Sequence, residues 1–251
     1  MTPPHGPAFY DDDEVFSVYM ARRQRVDSPN DTLEKPVIVE LAGDLTGLRI
    51  LDLGCGDAAF GREALSQGCQ MYLGVDGSAN MVAVAQQALE GTKAKVVQGT
   101  LEDWDYPTEA FDLVLARLVL HYIQGLDSVF RRVHGSLVAG GRFVFSVEHP
   151  VITCSDKGWQ GLGPRQAWLV DDYFHTGPRS VAWLGGRVVK YHRTVEDYFA
   201  GLQQAGCIIE ALREAAPVRA RFEDETTFQR RQRIPLFLIM AAAKNGLGPG
   251  A

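Results

Sequence analysis

Residues 49–58 read Arg49-Ile50-Leu51-Asp52-Leu53-Gly54-Cys55-Gly56-Asp57-Ala58, and a further apolar run ends in a second acid at Val75-Asp76. An apolar stretch that breaks at an acid and two glycines, then takes a helical pattern from Ala58 to Gln67, predicts strand, tight turn, helix. Gly54 and Gly56 carry no Cβ, so the backbone there can adopt conformations closed to other residues and let a ligand approach the peptide plane. Asp76 closes the next predicted strand, Met71 to Val75, where a carboxylate can accept both hydroxyls of a ribose.

Gly54-x-Gly56-x-x-Ala59 also satisfies the relaxed dinucleotide fingerprint, so glycine spacing alone leaves two ligand classes open. The charges discriminate. A pyrophosphate over this turn would lie between Asp52 and Asp57, at a helix N-terminus where a dinucleotide site must offer amides and positive potential. Two carboxylates suit a ligand with no phosphate and a positive centre. S-adenosylmethionine has a sulfonium, an ammonium and a neutral adenosine.

With Leu51-Asp52-Leu53-Gly54-Cys55-Gly56 followed by Gly74-Val75-Asp76-Gly77-Ser78 and Met81, the chain resembles a class I S-adenosylmethionine-dependent methyltransferase of the bacterial small-molecule type. It departs from that family at Ala58, where a third glycine is common; the change is expected to tighten the turn without closing the site. The resemblance implies that the backbone of Asp52, Gly54, Cys55 and Gly56 receives the cofactor's ammonium, that Asp76 and Gly77 meet the ribose, and that Met81 lies against the adenine. After the third strand the family places an acid beside the adenine amine. This chain has Gly99-Thr100-Leu101-Glu102, so Thr100 is a departure and the edge contacts pass to the Leu101 amide and Glu102. After the fourth strand the backbone of Ala116 and Arg117 would border the methionine moiety, with His121 and Tyr122 approaching the reacting methyl.

The rest of the chain fits one domain over 1–251, a length that can bury a single core. Predicted strands at Arg49–Leu53, Met71–Val75, Lys95–Gln98, Phe111–Ala116 and Arg142–Val147 alternate with helices at Ala58–Gln67, Ser78–Leu89 and Leu126–Val138. Such alternation predicts an α/β fold, a doubly wound, seven-stranded, mostly parallel sheet of Rossmann-like methyltransferase type. Its parts are an N-terminal helical lid (1–45), a cofactor-binding core (46–147), a substrate-capping insert (148–193) and a C-terminal helix and strand hairpin (194–251). In the lid, a mobile start to about Pro7 precedes a helix Val15–Arg25 and a second helix, capped by Asp31 or Thr32, that runs to about Leu45. The insert should include a β-ribbon near Arg187–His192. Helix Val195–Ala205 and strands Cys207–Leu212 and Ile234–Ala242 complete the fold.

The formal net charge of −6 argues against a nucleic-acid partner. So does the lack of both the Asp/Asn-Pro-Pro-aromatic motif and the Pro-Cys nucleophile of base methyltransferases. Cys55, Cys69, Cys154 and Cys207 are dispersed, as expected of reduced thiols in a cytoplasmic protein. No run approaches the ~18 apolar residues of a membrane span, and Met1–Glu14 does not read as a secretion signal.

Methyl transfer from a sulfonium mainly needs alignment and exclusion of water, and a base only when the acceptor must lose a proton early. Imidazole suits that task. His149 and His121 are the leading candidates, ahead of His192; each is also readable as a hydrogen-bonded scaffold residue. Tyr19 is a candidate lid residue, and one of Arg22, Arg23 and Arg25 can pair with the cofactor's carboxylate. Trp159, Trp168, Tyr173, Phe174 and Trp183 form either a wall for a small acceptor or the insert's own core. Asp171-Asp172, without a third ligand, reads as a solvated turn rather than a metal site. An NAD(P)-dependent oxidoreductase and a non-catalytic S-adenosylmethionine-binding protein stand as alternatives, and the acceptor atom, N, O or C, is open.

Overall fold

The protein is described by a computed structural model covering residues 6–23, 28–161 and 165–246. Chain order begins with two short helices, α1 (Gly6–Tyr10) and α2 (Asp13–Arg23), then a π-helical turn (Asn30–Glu34) that runs into α3 (Lys35–Ala42). The α/β repeat follows: β1 (Arg49–Leu53), α4 (Ala59–Ser66), β2 (Met71–Asp76), α5 (Ala79–Ala88), β3 (Lys95–Gln98), β4 (Phe111–Arg117), α6 (Leu126–Ser136) and β5 (Leu137–Glu148). After α7 (Pro150–Thr153) come two hairpins, β6 (Trp159–Gln160) with β7 (Ala167–Trp168) and β8 (Gly177–Trp183) with β9 (Gly186–His192). The chain closes with α8 (Val195–Gln204), β10 (Cys207–Arg213), α9 (Glu225–Arg231) and β11 (Phe237–Lys244).

The main sheet has seven strands in the order β10-β11-β5-β4-β1-β2-β3, and β11 alone runs antiparallel to its neighbours. Strand order therefore reverses between β1 and β4, which leaves a crevice at their carboxyl ends. Alternation along each strand feeds two apolar layers. Leu51 and Leu53 face the layer closed by Val129, Phe130 and Val133 of α6 and Tyr198 of α8, whereas Ile50 faces the layer holding Ile38 of α3, Phe60 of α4 and Val82 of α5. Burial on both faces is why these strands read as nearly unbroken apolar runs.

Several boundaries differ from expectation for identifiable reasons. The start at Gly6 and Pro7 is a packed helix: a Cβ on Gly6 would lie 3.0 Å from the Tyr122 ring, and one on Gly77 would lie 2.5 Å from Pro7 Cγ. Asp31 and Thr32 do not cap the second helix, because Pro29 is its N-cap and the Thr32 hydroxyl donates to the Ser28 carbonyl. That helix stops at Ala42, where Gly43 takes φ +69°. β5 begins five residues early, at Leu137, because a register shift between Phe111 and Leu113 lets the α6 exit join the ladder directly. β11 starts late, after Pro235, whose missing N–H cannot serve a ladder. The final two strands are antiparallel as expected, but α9 lies between them. The expected ribbon at Arg187–His192 is β9 paired with β8.

Candidate functional site

β1 delivers the turn to the crevice. Gly54 has φ +69°, and a Cβ there would sit 2.6 Å from Val119 Cβ, so this glycine makes room for the loop after β4. Gly56 has φ +55° and nothing within 4 Å of its would-be Cβ. Only the second glycine opens on free space, where a ligand can approach the peptide. Ala58, standing where the family's third glycine is common, is forced into the left-handed region at φ 53°.

The acids are held in two ways. Asp76 Oδ2 accepts the Gly56 N–H and its Oδ1 the Ser78 N–H, both at 2.9 Å, which fixes the carboxylate between the two turns. Burial raises its pKa and the amide bonds oppose that rise. Asp52 is 2% exposed and accepts the Tyr72 hydroxyl at 2.7 Å. Burial pushes its pKa up to about 6, against the pull of that hydrogen bond and of Arg117, so it is mostly ionised at neutral pH. Asp57 Oδ1 accepts the Ala59 N–H at 3.1 Å. A carboxylate thus already occupies the first free amide of α4, the place a pyrophosphate would take.

These groups line a cavity of about 1250 Å³. Besides Asp52, Gly54, Cys55, Gly56 and Asp57, its walls include Asp76, Gly77 and Met81 after β2 and Thr100, Leu101 and Glu102 after β3. Arg117, His121 and Tyr122 after β4 also border it. Ser78 caps α5 by accepting the Met81 N–H and in turn donates to Asp11 at 2.6 Å, which pins the lid to this edge. Ala116 is not brought to the cavity; it is fully buried in the sheet. Arg117 contributes its side chain, not only backbone: it forms a bidentate ion pair with the fully buried Glu34, which also accepts the Ser146 hydroxyl at 2.7 Å.

The histidines behave differently from the expected base. His121 lines the cavity, but its Nδ1 accepts the Glu148 N–H at 3.3 Å and burial lowers its pKa to about 3, so it is neutral and weakly basic. His149 is not among the lining residues: Nδ1 accepts the Val151 N–H and Nε2 meets Glu214 at 3.1 Å, so the ring caps α7. His192 is bonded to the Thr153 hydroxyl and the Tyr173 carbonyl, and also stands outside the main cavity. The preference for His149 is therefore corrected, because both of its ring nitrogens are already engaged.

The opposite wall is aromatic. Tyr10 of α1 bonds Tyr122 across their hydroxyls at 3.1 Å and accepts the Trp183 N–H at 3.3 Å, while its ring packs edge-on against Tyr19 at 5.1 Å. Glu148, at the end of β5, pairs with the buried Lys190 at 2.6 Å, and the Lys190 ammonium stands 4.8 Å from the Trp183 ring centroid. Burial opposes ionisation of Glu148, but the hydrogen-bonded Lys190 ammonium outweighs it and holds its pKa below the usual carboxylate value. Trp159, Trp168 and Trp183 line the cavity; Tyr173 and Phe174 do not, and Phe174 is 87% exposed. Arg22 and Arg23 are also lining residues, while Arg25 lies outside the described residues. Among the described residues, no cluster of His, Cys, Asp and Glu has metal-site geometry, and no helix is long and apolar enough to cross a membrane. The four cysteines are buried and unpaired.

Sequence reasoning passed over Glu34, Tyr10, Glu148 and Lys190. Glu148 ends a core strand, as Asp76 does, and the Val188-x-Lys190-x-His192 alternation puts Lys190 on an apolar face. Glu34 carried no local signal.

An open, mostly parallel sheet with a buried carboxylate at the end of β2 and a pocket at its switch point is the arrangement shared by nucleotide- and nucleoside-binding α/β proteins. Residues 51–145 match the methyltransferase domain family. The chain is similar to an S-adenosylmethionine-dependent methyltransferase from Mesorhizobium loti, with 36% identity and a TM-score of 0.78 over 84% of this chain and 97% of that one. A putative S-adenosylmethionine-dependent methyltransferase from Listeria monocytogenes gives 32% identity and a TM-score of 0.79 over 84% and 96%. An uncharacterised Haemophilus influenzae protein is 30% identical over 217 residues, 82% of this chain and 85% of that protein. The chain belongs to the S-adenosylmethionine-dependent methyltransferases, and S-adenosylmethionine is its cofactor.

Proposed function

We propose that the protein methylates a small molecule at an N, O or C atom, with the acceptor bound in the same cavity as the cofactor. The observation that carries this reading is the size and two-sided lining of that cavity. Its 1250 Å³ exceeds the ~300–1,000 Å³ of ordinary single-ligand pockets, and only one side is built from the cofactor-type turns. On that side Asp76 is placed to hold ribose hydroxyls, Met81 and Leu101 to flank the adenine with Thr100 and Glu102 at its edge, and the turn from Asp52 to Gly56 to meet the amino-acid end. The open space beside Gly56 and the negative character of the turn fit such a group. When bound, the cofactor supplies an activated methyl on a positive sulfur.

The chain's own contribution is alignment and dryness. Tyr10, Tyr19, Tyr122 and Trp183 close over the reacting end, and fixing two reactants in near-attack geometry is worth about 7–11 kcal/mol. Among the described residues, the one imidazole that lines the cavity is that of His121, whose burial lowers its pKa to about 3, so it acts as a neutral hydrogen-bonding wall rather than as a proton sink. This favours an acceptor that attacks through a lone pair or an already ionised atom. Residues 1–45 act as the lid, 46–147 as the cofactor core, 148–193 as the acceptor cap and 194–251 as the sheet's completing edge, within one domain. The acidic net charge favours a small acceptor over a nucleic acid.

The test is thermal shift followed by transfer. S-adenosylhomocysteine should raise the melting temperature and NAD should not; methyl-labelled cofactor incubated with a bacterial metabolite extract should then yield a labelled small product by mass spectrometry. Stabilisation by NAD instead, or cofactor binding with no labelled product from any extract, would overturn the reading.

A further inference from the structure

The cavity's carboxylates and its arginines come from different parts of the chain. Asp52 and Asp76 lie at the carboxyl ends of β1 and β2, and Asp57 and Glu102 in the loops after β1 and β3, whereas Arg22, Arg165 and Arg230 come from α2, the β6–β7 loop and α9. Arg117, at the sheet edge, is neutralised by Glu34. Among the described residues, Arg22, Arg165 and Arg230 form no ion pair with a carboxylate. Arg22 lies 4.7 Å from the Trp183 ring centroid, and Arg23 shares the surroundings of Tyr19 with Asp57 and Asp76, on the cofactor's side.

Arg230 is the unusual member. Its Nε is buried without a hydrogen-bond partner, and the one side-chain hydrogen bond it makes among the described residues, to the Thr227 hydroxyl, is long at 3.5 Å. A buried guanidinium N–H with no acceptor costs stability, so its retention in a cavity wall calls for an acceptor brought from outside. Nearby, Arg233 ties α9 to the hairpin. Its guanidinium donates to the carbonyls of Arg165 and Gln166 and stacks on Trp159 with 4.9 Å to the ring centroid. The tie joins the segment after α9 to the hairpin that carries Arg165 and the edge-to-face pair Trp159 and Trp168, whose centroids are 5.5 Å apart, and Arg165, Arg230 and both tryptophans line the cavity.

We propose that the methyl acceptor carries an anionic group, a carboxylate or a phosphate, which Arg230 binds with Arg165 beside it while the uncharged body of the acceptor lies against Trp159 and Trp168. The proposal rests on the reading of this cavity as the acceptor site. A planar guanidinium matches both oxyanions in two-point geometry, and removal from water strengthens the pairing.

The experiment uses the full chain saturated with S-adenosylhomocysteine, titrated by calorimetry with inorganic phosphate and separately with succinate at constant ionic strength. Saturable binding of either is the expected result, and which one binds identifies the group as phosphate or carboxylate. Arg230→Gln and Arg165→Gln should each weaken that binding about tenfold, the loss of one charge-assisted bond, and leave S-adenosylhomocysteine affinity unchanged. Arg230→Lys, which keeps the charge and loses the planar fork, should fall between. If one variant fails to fold, the other decides. No saturation by either anion up to roughly 50 mM, far weaker than any useful recognition, would overturn the proposal. Equal binding by the wild type and the Gln variants would overturn it too. Failure of S-adenosylhomocysteine itself to bind would instead strike the methyltransferase reading, so the two failures are distinguishable.

Discussion

The two sides of the cavity are built by opposite means. The sheet side is built at the carboxyl ends of consecutive strands: Gly54 and Gly56 after β1, Asp76 at the end of β2, Leu101 in the loop after β3. Backbone amides orient its key carboxylate, with Asp76 taking one bond each from Gly56 and Ser78. The covering side is assembled from α1, α2, two hairpins and α9, and its contacts run between side chains far apart in sequence, as Tyr10 to Trp183 and Lys190 to Glu148 do. A site held by backbone tolerates changes of side chain around it. A site held by side chains is set by every one of them, which is how one fold can serve different acceptors.

The largest expected effect lies where the two sides are stitched together. Glu34, from the turn before α3, is fully buried and pairs with Arg117 at the end of β4. Glu34→Gln leaves that guanidinium buried without its counter-charge, and breaking such a pair costs about 3–5 kcal/mol. Urea unfolding should show a loss of unfolding free energy of that size; a loss near zero would mean that water reaches Arg117 and that the two sides are not coupled there. Next in size is Asp76→Ala, expected to weaken S-adenosylhomocysteine binding by about 1–3 kcal/mol through loss of charge-assisted bonds to the ribose. Calorimetry giving an unchanged dissociation constant would detach the sheet side from the nucleoside.

This contrast also explains what could be read in the sequence. Leu51-Asp52-Leu53-Gly54-Cys55-Gly56 and Val75-Asp76 are local patterns, since strand, turn and site residues lie within a few positions of one another, and the α6 stripe Leu126, Val129, Phe130 and Val133 is buried as its spacing predicts. Tyr10, Arg230 and Glu34 have no such neighbours. Their roles depend on where a lid, a late helix and a π-helical turn come to rest, which long-range packing decides. His149 shows the same limit from the other side: a histidine at a strand end looked available, but Pro150 starts a short helix there and the imidazole caps it.

A smaller effect follows from acidity on the sheet side. Burial raises the Asp52 pKa to about 6, above the ~3.9 of an unfolded aspartate. The sign is that of an acid whose folded pKa is elevated: its burial favours folding at low pH, and that contribution is lost as pH rises from about 4 to about 6, then stays constant. Ligand binding carries the opposite sign. A positive sulfur prefers ionised Asp52, so the ratio of S-adenosylmethionine to S-adenosylhomocysteine affinity should hold above pH 6 and fall below it, by at most about tenfold per pH unit. Taking the ratio cancels groups that both ligands share. A ratio flat between pH 5 and pH 8 would place Asp52 away from the sulfur.

The smallest effect belongs to the covering side, and it tests whether that side is a set of separable contacts. Tyr10 joins three elements through one oxygen, bonded to Tyr122 and Trp183, while its ring rests on Tyr19 and next to Phe9. Tyr10→Phe keeps the ring and deletes the oxygen. Each neutral hydrogen bond contributes about 0.5–1.5 kcal/mol, and Tyr122 and Trp183 border a cavity in which water can replace the lost partner, so the cost to global stability should stay near 1 kcal/mol. Local opening should respond more than global unfolding, because α1 buries little besides Gly6 and Phe9. Hydrogen exchange in residues 6–10 should therefore quicken several-fold while β1 and β4 amides keep their protection. Uniform acceleration across the sheet would show that the lid and the core unfold together, and the division between a backbone-held side and a side-chain-held side would fail.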